Sequence, residues 1–343
     1  MKKTKAVVML GNPQSVDITR EELDAEWREK LGAIEDIEYE IVPYPGGFRL
    51  TPEEMSALVP SDAESVFGMW VSDVYITEDF LKAHPKLSYI AGLSHGYGEV
   101  DFDMTRRYGV TITNTAYGDR TIAEYAFALL LAVCHRVELH SDYVKNTKWW
   151  EPDPPQYMRT FVPQTELFGK TLGIIGLGKI GLCTARIAAG FGMNVLANSR
   201  RVKTGGEYDG IEQVGLDELY ARSDVISVHA PLTARTRGMI DGAAFEKMRD
   251  GVIFINTSRG ALVDEDALAD ALDSGKVSFA GLDVLVNEPP TEPSRLLAHK
   301  NALITAHIAW LPKSSRMRQV SVAVQNYLAY LGGSPVSVIG GAE

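Results

Sequence analysis

Cysteine is almost missing from this chain: 343 residues hold two, Cys134 and Cys183, with neither a CxxC pair nor metal-ligand spacing. That excludes a disulfide framework and a cysteine-built metal centre. Both fall in stretches that read as helices, where a reduced thiol packs as a small hydrophobe, and no metal is expected. Long apolar runs are missing too. None approaches the ~20 residues of a membrane span. In the opening MKKTKAVVMLGN the apolar run behind the lysines is shorter than a secretory-signal core, so a cytoplasmic, membrane-free protein is expected. Positive charge is in deficit, 34 Lys and Arg against 45 Asp and Glu for a net charge of −11. Nucleic acid is therefore excluded as the main partner, because that binding rests on neutralising phosphates. Any anionic ligand must be held by local basic groups. Internal repeats and low-complexity tracts are absent as well.

What is present has a soluble globular profile, 45% hydrophobic and 23% charged, over a length that suits two domains. From Ala6 to about Thr115, short apolar runs alternate with amphipathic stretches. The runs are AVVML, YEIVPY (39–44), SVFGMWV (65–71), YIAGLS (89–94) and TITNT (111–115). Continuous hydrophobicity in them predicts a parallel sheet covered on both faces. Asp17 is expected to cap ITREELDAEWREKL, and Thr51 to cap TPEEMSALV. One long helix over 121–145 follows, and then a loop rich in proline and aromatics.

Beyond that loop the rhythm restarts with six apolar runs: 171–176, 194–199, 225–230, 252–258, 279–285 and 303–308. They predict a doubly wound sheet with ligands at the carboxyl ends of its strands. A last helix, about 313–331, follows Pro312 and is expected to pack back on the first domain. The α/β reading therefore gives two domains, 1–118 with 312–343 and 119–311.

The run GLGKIG opens the second domain's first helix directly after a strand. Gly176 permits a tight turn, Gly178 lets backbone approach a pyrophosphate, and Gly181 permits close helix–strand packing. The helix end around Lys179 and Ile180 supplies N–H donors. A carboxylate is expected about 20 residues on, to hold the ribose hydroxyls of NAD. The sequence instead has Ser199, Arg200 and Arg201. A hydroxyl followed by two guanidinium groups suits a 2′-phosphate, so NADP(H) is expected to be preferred, with NAD(H) as the alternative. Either arginine alone would as easily be a solvated surface residue.

Three motifs sit at late strand ends. INTSRGALVDEDAL carries Arg259 with Asp264 as a helix cap, GLDVLVNEPP carries Glu288, and LITAHIAW carries His307. Alone, each would more often be a surface ion-pair partner, a solvated acid or an ordinary histidine. In this order and spacing, from about Ser65 to Asn326, the chain resembles the D-2-hydroxyacid dehydrogenase family. The resemblance implies a flavodoxin-like substrate domain and a Rossmann cofactor domain, with the active site in the cleft between them. It also implies a homodimer built around the cofactor domain, with the helix 121–145 and the apolar side chains Trp149, Trp150, Tyr157, Met158 and Phe161 contributing.

By the same resemblance, Arg259 would bind the substrate carboxylate and polarise the 2-oxo oxygen, where negative charge grows. His307 would be the general acid in reduction and the base in oxidation. Glu288 would orient and charge that imidazole. Asp283 would lie on the nicotinamide side. Thr121, the loop of His229, Ala230 and Pro231, and the strand-end pair Thr257 and Ser258 would line the cofactor. Ser94, His95 and Gly96, with Trp70 and Trp310, would line the substrate.

There are departures. Ala306 stands where the family usually has proline, and SHGYGEVD (94–101) replaces the usual GxGxDxxD. His95 has two readings, a basic substrate-side residue or a side chain packed under its loop. The expected reaction is NADP(H)-dependent reduction of a small 2-oxo acid, glyoxylate or hydroxypyruvate first, and its reverse. A phosphite-type anion dehydrogenase and a cofactor-sensing binding protein are the alternatives; turnover of a 2-oxo acid with NADPH separates them. Formate is disfavoured by Glu288, where enzymes on that fold pair the histidine with glutamine.

Overall fold

The computed structural model describes residues 3–44, 50–146, 160 and 162–340. The chain divides into two compact units, 1–118 with 310–343 and 119–309. In the first unit the strands are β1 (Thr4–Leu10), β2 (Ile37–Pro43), β3 (Ser65–Phe67), β4 (Tyr89–Ala91) and β5 (Thr111–Thr113). All pair in parallel, in the order β2-β1-β3-β4-β5, the flavodoxin-like arrangement. Strand β3 stops well short of the expected residue 71. Gly68 turns the chain out of the sheet at φ 87°, and a side chain there would lie 2.5 Å from the Met9 carbonyl oxygen.

The first helix, Arg20–Gly32, corrects one expectation. Its N-cap is Thr19, not Asp17: Thr19 accepts from the Glu22 amide while Glu22 accepts from the Thr19 amide. Asp17 has Arg20 three residues on and so cannot form that reciprocal box. Its carboxylate accepts from the Lys313 amide instead. The helix Pro52–Leu58 is capped by Thr51 as expected.

Among the described residues the second unit holds seven parallel strands, one more than expected. They are β6 (Thr171–Ile175), β7 (Asn194–Asn198), β8 (Ile211–Gln213), β9 (Val225–Val228), β10 (Val252–Asn256), β11 (Val277–Leu282) and β12 (Ala302–Ile304). Their order is β12-β11-β10-β9-β6-β7-β8, doubly wound about β6. The extra strand, β8, is a three-residue edge strand carrying Glu212 and Gln213, too short and polar to show in the hydrophobic pattern. The expected single helix over 121–145 is two, Asp119–His135 and Val137–Asn146. Arg136 breaks them at φ 47°, its guanidinium 5.4 Å from the Phe279 ring centroid. Neither proline nor glycine marks that break. The aromatic loop 147–161 falls outside the described residues except for 160.

The last helix, Lys313–Leu331, packs on the first unit. It places Val320, Ala323, Val324 and Tyr327 in one core with Val8, Trp27, Phe67 and Tyr89. Tyr327 meets Phe67 edge-on at 5.1 Å, and its hydroxyl accepts from Ser65 Oγ at 3.1 Å. Fully burying a side chain such as Phe67 contributes about 1.5–3 kcal/mol. The boundary between the units falls after Ala309, two residues before the expected 311. Trp310 belongs with the first unit, stacked on Arg316 of this last helix.

Candidate functional site

The glycine turn follows β6. Gly176 takes φ 104°, and a Cβ there would lie 2.6 Å from the His229 backbone. A Cβ on Gly181 would lie 2.2 Å from the Gly176 carbonyl oxygen. Around Gly178 a Cβ would meet nothing. Gly178 is the N-cap of the helix Lys179–Gly190 and makes no side-chain cap bond; Gly178 and Lys179 are exposed and Ile180 is half-buried. The amides at the start of this helix therefore face open space, which fits the pyrophosphate of a dinucleotide.

At the tip of β7, the Ser199 hydroxyl donates to the Arg201 carbonyl at 2.7 Å and closes a turn with both arginines exposed. Gln213 of β8 clasps that turn through two 2.7 Å bonds to the Lys203 backbone. The unexpected strand thus shapes the loop that would meet the ribose. Further along the same edge, Ser258 Oγ donates to the Ala230 carbonyl at 2.6 Å. Thr257 Oγ1 is buried with no hydrogen-bond partner among the described residues, which fits a polar group of a ligand. His229 bonds Ser227 at 2.9 Å, and burial lowers its pKa to about 4. Pro231 is exposed beside it, and Thr121 is buried in the first turn of Asp119–His135.

Glu288 and His307 meet directly, Oε2 to Nδ1 at 2.6 Å. Burial works to raise the Glu288 pKa, but the His307 hydrogen bond and charge, the Leu285 amide and the Arg259 charge outweigh it. The carboxyl is held below its ordinary value. Arg259 is near enough to Glu288 for their charges to interact, while burial lowers its own pKa. Its guanidinium donates to the Ser258 carbonyl at 2.7 Å. Gly260 lets this loop touch the next, because a Cβ there would lie 2.0 Å from the Leu285 carbonyl carbon.

His307 occupies φ 55°, a region that non-glycine residues seldom adopt. The neighbouring Asp283 over-determines it. Its buried carboxylate accepts from Thr305 Oγ1 at 2.6 Å and from the amides of Ile308 and Ala309 at 2.9 Å, and its carbonyl accepts from the His307 amide at 2.8 Å. Sequence reasoning missed this clamp: Asp283 lies in the GLDVLVNEPP motif and was expected on the nicotinamide side, and nothing in the sequence paired it with Thr305.

The first unit contributes a separate group at the carboxyl ends of its strands. Ser94 Oγ donates to the Gly96 carbonyl. His95 Nε2 accepts from the Gly118 amide at 2.7 Å, and its ring lies 5.3 Å from that of Tyr117. These are contacts of the kind the packed reading of His95 expects. Trp70 is half-buried against the core, and Trp310 stacks on Arg316 at 4.6 Å.

Residues 127–309 match the model of the D-isomer specific 2-hydroxyacid dehydrogenase, NAD binding domain. The chain belongs to this dehydrogenase family. It is 42% identical to a hydroxypyruvate reductase from Blautia hydrogenotrophica over 256 residues, 74% of this chain and 79% of that one. It is 36% identical to a glyoxylate reductase from Korarchaeum cryptofilum, over 75% of this chain and 77% of that one. A solved structure from Thermus thermophilus superposes with a TM-score of 0.77 at 31% identity, covering 98% of this chain and 100% of that one. The dehydrogenase is an NAD(P)-dependent oxidoreductase acting on a CH–OH group. Its general reaction is reduction of a 2-oxo acid to the D-2-hydroxy acid, and its second unit is the NAD(P)-binding domain. Among the described residues no helix is long and apolar enough to cross a membrane, and no cluster of potential metal ligands occurs.

Proposed function

We propose that this dehydrogenase reduces a small 2-oxo acid, glyoxylate or hydroxypyruvate, with NADPH in preference to NADH. The observation that carries the reading is the 2.6 Å Glu288–His307 pair within the field of Arg259. A nicotinamide cofactor held at the glycine turn after β6 would supply the hydride for the carbonyl carbon. Arg259 pairs with the substrate carboxylate and draws charge onto the 2-oxo oxygen as it becomes an alkoxide. His307, with Nδ1 toward Glu288, delivers a proton to that oxygen from Nε2. In the reverse direction the same nitrogen removes the proton from the hydroxy acid. Glu288 fixes the ring's orientation through the 2.6 Å bond to Nδ1.

Ser94 to Gly96, Trp70 and Trp310 are assigned to the substrate. Gly176 to Gly181, Thr121, His229 to Pro231, Thr257, Ser258 and Asp283 are assigned to the cofactor. The preference for NADPH rests on the acid-free tip of β7, where Arg200 and Arg201 stand exposed. The choice among 2-oxo acids is supported by the activities named for the relatives from Blautia and Korarchaeum. The reading includes a homodimer, supported by the helix Val137–Asn146, which buries none of its residues in this chain. The test is a panel of glyoxylate, hydroxypyruvate, pyruvate, phenylpyruvate and phosphite, each with NADPH and with NADH. Turnover of glyoxylate or hydroxypyruvate, faster with NADPH, is expected. Turnover of phosphite alone, or of no compound, overturns the reading.

A further inference from the structure

The first unit holds a cation that the reading above does not use. Arg316 lies in the first turn of the helix Lys313–Leu331, its guanidinium 4.6 Å from the Trp310 ring centroid. Burial lowers its pKa, and the groups acting against that are two phenols, Tyr117 and Tyr44. No carboxylate pairs with it and no hydrogen bond of its side chain occurs among the described residues. Two other cations nearby are differently placed. Arg318 donates to the Tyr117 carbonyl at 2.8 Å. Lys313 pairs with Glu22 at 2.5 Å.

Tyr44 directly follows β2, and Tyr117 lies four residues beyond β5. The cation therefore sits at the carboxyl edge of the first sheet, the edge on which open parallel sheets bind ligands. A second guanidinium reaches the same edge. Arg20 donates to the Tyr44 carbonyl at 3.0 Å, and its buried Nε has no partner among the described residues.

A stack on an indole face compensates only part of the lost hydration of a guanidinium, and it leaves the N–H donors in the ring plane unused. Leaving donors of a charged group unmade is costly. The chain carries more acids than bases, yet among the described residues it supplies none here. That pattern suits a cation whose counter-charge arrives with a ligand.

We propose that Arg316, stacked on Trp310 at the carboxyl edge of the first sheet, binds a second anionic group, a carboxylate or phosphate at the far end of a 2-oxo acid. The inference rests on the reductase reading and extends it to longer, dianionic substrates. The planar fork of arginine matches both oxyanions, so the two kinds are separated by experiment.

The test compares glyoxylate, which has no far end, with oxaloacetate and 3-phosphohydroxypyruvate, in the wild type and in Arg316→Gln and Arg316→Lys. Turnover of at least one dianion by the wild type is expected. Arg316→Gln should lower kcat/KM for that dianion at least tenfold more than for glyoxylate, through KM. Arg316→Lys should recover part of the loss. Whichever dianion shows the selective loss identifies the group bound. Equal losses for all substrates, or none, make Arg316 a support for Trp310 and overturn the inference. If the wild type reduces glyoxylate but neither dianion, the inference falls and the reductase reading stands. If it reduces no 2-oxo acid, both fall.

Discussion

His307 combines a left-handed backbone, a clamp from Asp283 on its own and the following amides and a short bond to Glu288. Together these contacts fix its position. Replacing His307 with Ala should lower turnover at least about a hundredfold, the scale of a lost acid–base group, with little change in melting temperature. Glu288→Gln keeps the hydrogen bond but removes the charge. Turnover should fall at least about tenfold, and an unchanged rate would leave Glu288 a spacer. His229 acts on stability instead. Its folded pKa, about 4, lies below the ordinary value of about 6.5. Between these values the unfolded chain binds the extra proton, so stability falls as pH drops from about 6.5 through 4. Denaturant unfolding across that range should show a shallower acid slope in His229→Asn, by roughly 1–3 kcal/mol over the whole window.

Two loops decide what the helices and strands present. The turn after β7 is closed by Ser199 and clasped from β8 by Gln213, and both arginines in it are exposed. The double change Arg200→Ala and Arg201→Ala should weaken NADPH binding about tenfold or more and leave NADH binding little changed. Titration of both cofactors at one ionic strength checks this, because screening alone imitates the loss. Equal weakening would reduce the arginines to a solvated turn. The second loop carries Arg259 and touches Leu285 through Gly260 at a distance that admits no side chain. Gly260→Ala should force the Arg259 and Glu288 loops apart, costing about 1–3 kcal/mol and lowering kcat more than it raises KM. Calorimetry and steady-state kinetics on one preparation measure both.

At the scale of the molecule, the helix Val137–Asn146 buries none of its residues. Val137 is 63% exposed and Val144 is 39% exposed; seven residues apart, they share one face. The adjoining stretch with Trp149, Trp150, Tyr157, Met158 and Phe161 is rich in apolar side chains. The exposed valine face of Val137–Asn146 is of the kind normally covered, and a second copy covers it in the proposed dimer. Sedimentation velocity at micromolar concentration should show a dimer, and Val137→Glu with Val144→Glu should shift it toward monomer. A monomeric wild type would end that proposal.

The sequence alone determined the features that depend on local or periodic chemistry. Continuous apolar runs marked eleven of the twelve strands, because a doubly covered parallel strand is hydrophobic on both faces. The glycine spacing of the turn and the order of Arg259, Glu288 and His307 identified the family, because backbone approach and proton transfer demand those residue types. Other features were not read from it, some local and some set by partners distant in the chain. The cap passed from Asp17 to Thr19 through a reciprocal bond with Glu22. The long helix broke at Arg136, beside Phe279. Edge strand β8 was too short and polar to carry a period. The tertiary structure alone turned His95 onto the Gly118 amide, locked His307 through Asp283 and left Arg316 without an acid among the described residues. Most of these are contacts between residues far apart in sequence, settled by burial and hydrogen-bond geometry that no local pattern encodes.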